Sequence, residues 1–196
     1  MRAAATHPPL VTLVLPDEGA GRAARQILLA LAGTLLLTVS AKVQLPMWPV
    51  PMTMQTFAVL VIGMAFGARL GAATVVLYLL QGAVGLPVFA SGGGIAYFSG
   101  PTAGYLIGFA VAAFAVGALA ERGWDRGPVR TLGAMLVGTL IIFALGVGWL
   151  AILLGDPTKA LNAGLLPFLP GEALKIALAA LVLPALWRRF DGTRTP

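Results

Sequence analysis

Long uncharged apolar runs alternate with short polar or proline-bearing breaks along most of this chain. An α-helix rises about 1.5 Å per residue, so about 20 apolar residues cross a hydrocarbon core of about 30 Å. Six candidate spans follow one another, at residues 26–41, 54–66, 70–84, 102–120, 131–154 and 171–187. The second and third are short and separated only by Gly67-Ala68-Arg69. Read as one helix, residues 54–86 would be too long for one crossing, so the expectation is two spans joined by a tight turn. The predicted fold class is all-α, a polytopic membrane protein with a domain over residues 26–188 and tails at 1–25 and 189–196.

Composition agrees with that pattern: 59% of residues are hydrophobic and 10% charged, against roughly a quarter charged in an ordinary soluble domain. Cysteine is absent, which excludes disulfides and thiolate metal sites, and the one histidine, His7, lies in the N-terminal tail. The apolar run at residues 10–15 is too short to span and lacks a signal-peptide cleavage pattern. A net charge of +6 could point to nucleic acid, but the basic residues flank apolar segments, where membrane topology places them. With both termini inside, Arg2, Arg22, Arg25, Arg69, Arg122, Arg126, Arg130, Arg188, Arg189 and Arg194 all fall on the inner side. Lys42 and Lys159 fall outside, with Lys175 just within the last span. That asymmetry predicts cytoplasmic termini and no nucleic-acid partner.

The outer side then owns the breaks at 42–53, 87–101 and 155–170, which are rich in proline. Rigid, aromatic-bearing loops there suit closure over something arriving from outside, although prolines also simply mark helix ends. The stretch 87–109 is uncharged and combines Gly92-Gly93-Gly94 with aromatic rings and hydroxyls. It reads as a folded-in cap or pocket wall, with a flexible glycine loop as the alternative.

Ionisable residues inside apolar spans cost about 2.5–3.5 kcal/mol each and point to function. Only Glu172 and Lys175 qualify, and their i, i+3 spacing puts them on one helix face. Side by side they offer an acceptor and a donor. The plainer reading is that Glu172 favours a helix N-terminus and Lys175 reaches back to the interface. Lys175 near the positive end of the helix dipole is unfavourable without a compensating anion or ligand. Thr53 and Gln55 enter the second span as polar groups in want of partners, Thr53 being also a candidate helix cap. Asp156-Pro157 predicts a short capped helix within the third outer loop. Gly63, Gly67 and Gly71, then Gly104 and Gly108, and along the first helix Ala20 with Ala24 and Ala30 with Thr34 and Thr38, permit close helix approach, internally or to a partner. No catalytic motif, carboxylate cluster or phosphate-cradling Gly-Lys-Ser/Thr run is present, so any ATP-driven work falls to another subunit.

Four runs carry a family resemblance: residues 49–56 (PVPMTMQT), 82–89 (GAVGLPVF), 100–109 (GPTAGYLIGF) and 169–175 (LPGEALK). In order and spacing the chain resembles the BioY family over residues 28–187, the biotin-binding S subunits of energy-coupling-factor (ECF) importers. The resemblance implies a compact bundle of six transmembrane helices in the cell (inner) membrane that captures biotin from the outer side. It also implies a transmembrane coupling subunit and ATPase subunits as separate chains, no cofactor beyond the transported biotin, and no enzymatic activity. The family's Pro-Gly-acid-x-x-Lys motif is associated with the ureido head of biotin, a role that Glu172 and Lys175 inherit. The family more usually has Asp at the position of Glu172, one methylene shorter. Gln55, Thr53, Phe89, Gly93, Tyr97 and Tyr105 correspond to the family's pocket walls. An S subunit for another vitamin and an intramembrane enzyme are the rival readings.

Overall fold

A computed structural model describes residues 7–14 and 21–191. Expectations for the remaining tail residues, Ala20, Arg2 and Arg194 among them, lie outside the described residues. The elements run α1 (Val11–Val14), α2 (Arg22–Lys42), β1 (Gln44–Leu45), β2 (Met52–Thr53), α3 (Gln55–Phe66), α4 (Ala68–Ala83), α5 (Ala103–Ala120), α6 (Pro128–Leu154), α7 (Pro157–Gly164) and α8 (Leu169–Asp191). Short 3-10 turns occupy Ile95–Ser99 and Leu166–Phe168. The six predicted spans correspond to α2, α3, α4, α5, α6 and α8. By length and hydropathy α2, α5, α6 and the stretch Pro157–Arg188 can each cross a membrane, whereas α3 and α4 are shorter apolar helices. The chain is a mostly helical, multi-pass membrane protein.

The helices are inverted relative to a soluble bundle. Along α2 the buried positions are Ala30, Gly33, Thr34, Leu37, Ser40 and Ala41, while Leu28, Leu31, Leu35 and Val39 are exposed. Lipid is as apolar as leucine, so large side chains gain nothing by turning inward, and small ones let backbones approach. α5 is the hub, packed against α3, α4 and α6. A Cβ on Gly63 would lie 2.6 Å from Ala113 O of α5, and one on Gly104 would lie 2.4 Å from Leu145 O of α6. The glycine repeats are therefore consumed in internal contacts. Gly67, at φ 82°, is the whole connection between α3 and α4, a backbone conformation that favours glycine. Glu121 completes that turn, its Oε1 accepting from Ala68 N–H at 2.9 Å.

Three interhelical segments position the site. The break after α2 folds as a hairpin, with Gln44 opposite Thr53 and Leu45 opposite Met52. The glycine-rich break pairs Phe89 with Gly92 before the 3-10 turn. The third carries α7, capped by Asp156, whose Oδ1 accepts from Thr158 N–H and Lys159 N–H at 2.9 and 3.1 Å. Those bonds hold the Asp156 carboxyl below its ordinary range.

Candidate functional site

A partly open cavity lies where the hairpin, the glycine-rich segment and the N-terminal ends of α3, α5 and α8 converge. It leaves about 40 Å³ for water-sized occupants. Its polar wall is Thr53, Gln55 and Thr56 at the start of α3, Thr102 before α5, and Glu172 on α8. Its apolar wall includes Phe89, Tyr97, Tyr105, Phe109, Phe143 and Phe168. The rings brace one another: Phe89 and Tyr97 lie 4.7 Å apart between centroids, Tyr105 and Phe143 5.9 Å, Phe143 and Phe168 5.8 Å. Tyr105 spends its hydroxyl on Gly164 O at 2.7 Å, tying α7 to the bundle, so it presents only its ring.

Glu172 and Lys175 are 3% and 6% exposed and are joined at 2.7 Å. Lys175 Nζ donates to Thr53 O at 2.7 Å, Thr56 Oγ1 at 2.9 Å and Glu172 Oε1 at 2.7 Å. An ammonium has three hydrogens, and each has an acceptor here. Thr56 Oγ1 donates to the same Glu172 Oε1 at 2.8 Å. Charge and donors therefore gather on one carboxylate oxygen, Oε1, while the residue itself lines the cavity. A buried charge needs this kind of compensation, since desolvation alone costs several kcal/mol. Sequence reasoning expects acid and amine side by side toward a ligand. The structure instead sets the acid in the cavity wall and the amine behind it, where Lys175 lines a second groove with Leu45, Met52, Leu174 and Leu178.

Gln55 is buried, and its Nε2 donates to the Tyr78 hydroxyl at 2.7 Å. A primary amide carries a second hydrogen, which makes Gln55 the natural donor of the polar wall. Thr53 Oγ1 accepts from Gln55 N–H at 3.2 Å, the local bond expected of a helix start, although Thr53 itself belongs to β2. Gly93 is absent from the wall: it packs where a Cβ would lie 2.1 Å from Leu86 O. Thr53, Gln55, Phe89, Tyr97, Tyr105 and Glu172 are thus brought together, while Lys175 and Gly93 stand outside the lining. Sequence reasoning missed Thr56, Thr102, Phe143 and Phe168. Thr56 sat in a quoted motif one residue past Gln55, but its partner lies 116 positions away. Among the described residues no three His, Cys, Asp or Glu side chains converge as a metal site requires.

Comparison with known proteins returns one consistent answer. The model described as the BioY family matches residues 10–192. A relative from Pyrococcus horikoshii named probable biotin transporter BioY is 38% identical over 164 residues, covering 83% of this chain and 96% of its own. One from Thermotoga maritima named biotin transporter BioY is 40% identical over 159 residues, covering 81% and 93%. The fold is shared with a crystal structure described as the S-component for biotin from an ECF-type ABC transporter, at TM-score 0.73 and 21% identity, covering 87% of this chain and 95% of that one. The chain belongs to the BioY family.

Proposed function

We propose that this chain captures biotin at the outer face of the cell (inner) membrane and imports it as the S component of an ECF-type transporter. A transmembrane coupling subunit and ATPase subunits act as separate chains, and both termini are cytoplasmic, as the distribution of arginine supports. The observation that carries the reading is the Glu172 carboxylate beside Gln55 on one polar wall of an otherwise aromatic and aliphatic cavity, within a chain of this family. A cyclic urea offers N–H donors to that carboxylate and a carbonyl acceptor to the spare Gln55 hydrogen. A thioether ring and alkyl chain suit Phe89, Tyr97, Tyr105 and Phe168. Lys175 serves by pairing with Glu172 and fixing its orientation.

Binding of labelled biotin to the purified chain tests this. Glu172→Ala should weaken binding about a hundredfold, because a buried partner is left unpaired. Unaltered affinity in that variant, or equal competition by thiamine or riboflavin, would refute the assignment.

A further inference from the structure

Three consecutive carbonyls of the turn that roofs the cavity are each held by a side chain from a different element. Val88 O accepts from the Tyr78 hydroxyl at 2.9 Å, Phe89 O from the Lys42 ammonium at 2.6 Å and Ala90 O from the Gln44 amide at 3.3 Å. Tyr78 belongs to α4, Lys42 ends α2, and Gln44 lies in β1. The turn is closed by the Phe89–Gly92 pairing and by Gly94 N–H donating to Gly82 O at 2.7 Å. Phe89 and Ala90 line the cavity, so freeing these carbonyls uncovers it.

The three clamps are unequal. Tyr78 is fully buried and also accepts from Gln55, so releasing Val88 O would strand polar groups in a dry interior. The Gln44 contact is long for an N–H···O bond. Lys42 makes a short, charge-assisted bond from an exposed position, where water takes over the ammonium whenever the bond breaks. It is the one clamp both strong enough to hold the roof and cheap to release. The space beneath is far below the roughly 300 Å³ or more of ordinary ligand pockets, so the roof has to move for an occupant to pass.

We infer that Lys42 is a positioning residue: its ammonium latches the turn over residues 88–90 shut, and release of its bond to Phe89 O admits and frees the occupant. The inference rests on the cavity being the biotin site. Lys42→Met keeps the stem and deletes the donor. In rapid-mixing measurements with labelled biotin, the variant should release ligand about tenfold faster and load it at least as fast, as expected for loss of one charged hydrogen bond. Hydrogen exchange on the ligand-free chain should quicken at the amides of Phe89, Gly92 and Gly94. Lys42→Arg, which retains a donor, should return both readouts to those of the unaltered chain. Unchanged release, or slowed loading from a collapsed roof, overturns the latch. If the unaltered chain binds no biotin, the ligand assignment fails, while exchange still decides the latch: no acceleration in Lys42→Met overturns it. Lys42→Leu, which also lacks a donor, replaces Lys42→Met should the latter fail to fold.

Discussion

The two ends of α8 bury a carboxylate in opposite ways. At its N-terminal end, outer in the proposed topology, Glu172 meets an ammonium, a hydroxyl and a cavity. At its C-terminal end, inner in that topology, Asp125, from the turn between α5 and α6 and 1% exposed, meets the neutral indole of Trp187, whose Nε1–H donates to Oδ2. Arg126 lies 4.4 Å over that indole ring and faces Asp125 only through its field. The outer acid is fully compensated in charge and lines a cavity. The inner acid is under-compensated, and its Oδ1 is buried without a hydrogen bond. Compensation and function therefore go together: the expensive ion pair sits where a ligand can use it, and the inner carboxyl is a tie between a loop and a helix.

Breaking the outer pair should cost most. Lys175→Met leaves Glu172 buried without its counter-charge and should lower stability in detergent by about 3–5 kcal/mol. Adding Glu172→Met should recover most of that loss while biotin binding stays absent; no recovery in denaturant titrations would mean the residues do not act as a pair. The inner end should yield less. Trp187→Phe deletes one hydrogen bond to a buried carboxylate, worth about 2 kcal/mol, and should leave biotin affinity within twofold. A large loss of affinity there would show that the two ends of α8 are coupled. The smallest effect concerns pH. Burial raises the Asp125 carboxyl above its ordinary range, against the opposing Trp187 N–H. A carboxyl raised on folding holds its proton more tightly in the folded chain, so it favours folding at low pH. That contribution is lost as pH climbs from the ordinary carboxylate range through the raised value. Asp125→Asn should flatten melting temperature against pH in that window, and identical slopes for the two chains would contradict the role given to burial.

The spans were legible because hydropathy is a local property, and Glu172 and Lys175 because they are the only charges inside one. What escaped depends on partners far along the chain. The hairpin is two residues per strand with prolines between, too short to show any alternation. Lys42 read as a flanking charge, since nothing local announces a carbonyl 47 positions away. Tyr78 looked like one more apolar residue of α4, though its hydroxyl joins Gln55 to Val88. The placing of Lys175 behind Glu172 follows from Thr53 and Thr56 reaching it first, a matter of α3 against α8 that i, i+3 spacing on one helix does not contain. Asp125 sat in a basic loop and was passed over because its partner, Trp187, marked the end of a span. The glycine repeats were readable as close-packing devices, but only the packed bundle decides that they meet α5 and α6.

With 12 and 16 residues, α3 and α4 rise only about 18 and 24 Å. Along α4, which exposes Val76 and Leu80, the protein is thinner than the hydrocarbon around it, so the surrounding acyl chains must compress. Since α4 also carries Tyr78, whose hydroxyl holds Val88 O at the roof of the cavity, the thickness of the host bilayer bears on that roof, and lipid chain length becomes a setting on access to the site.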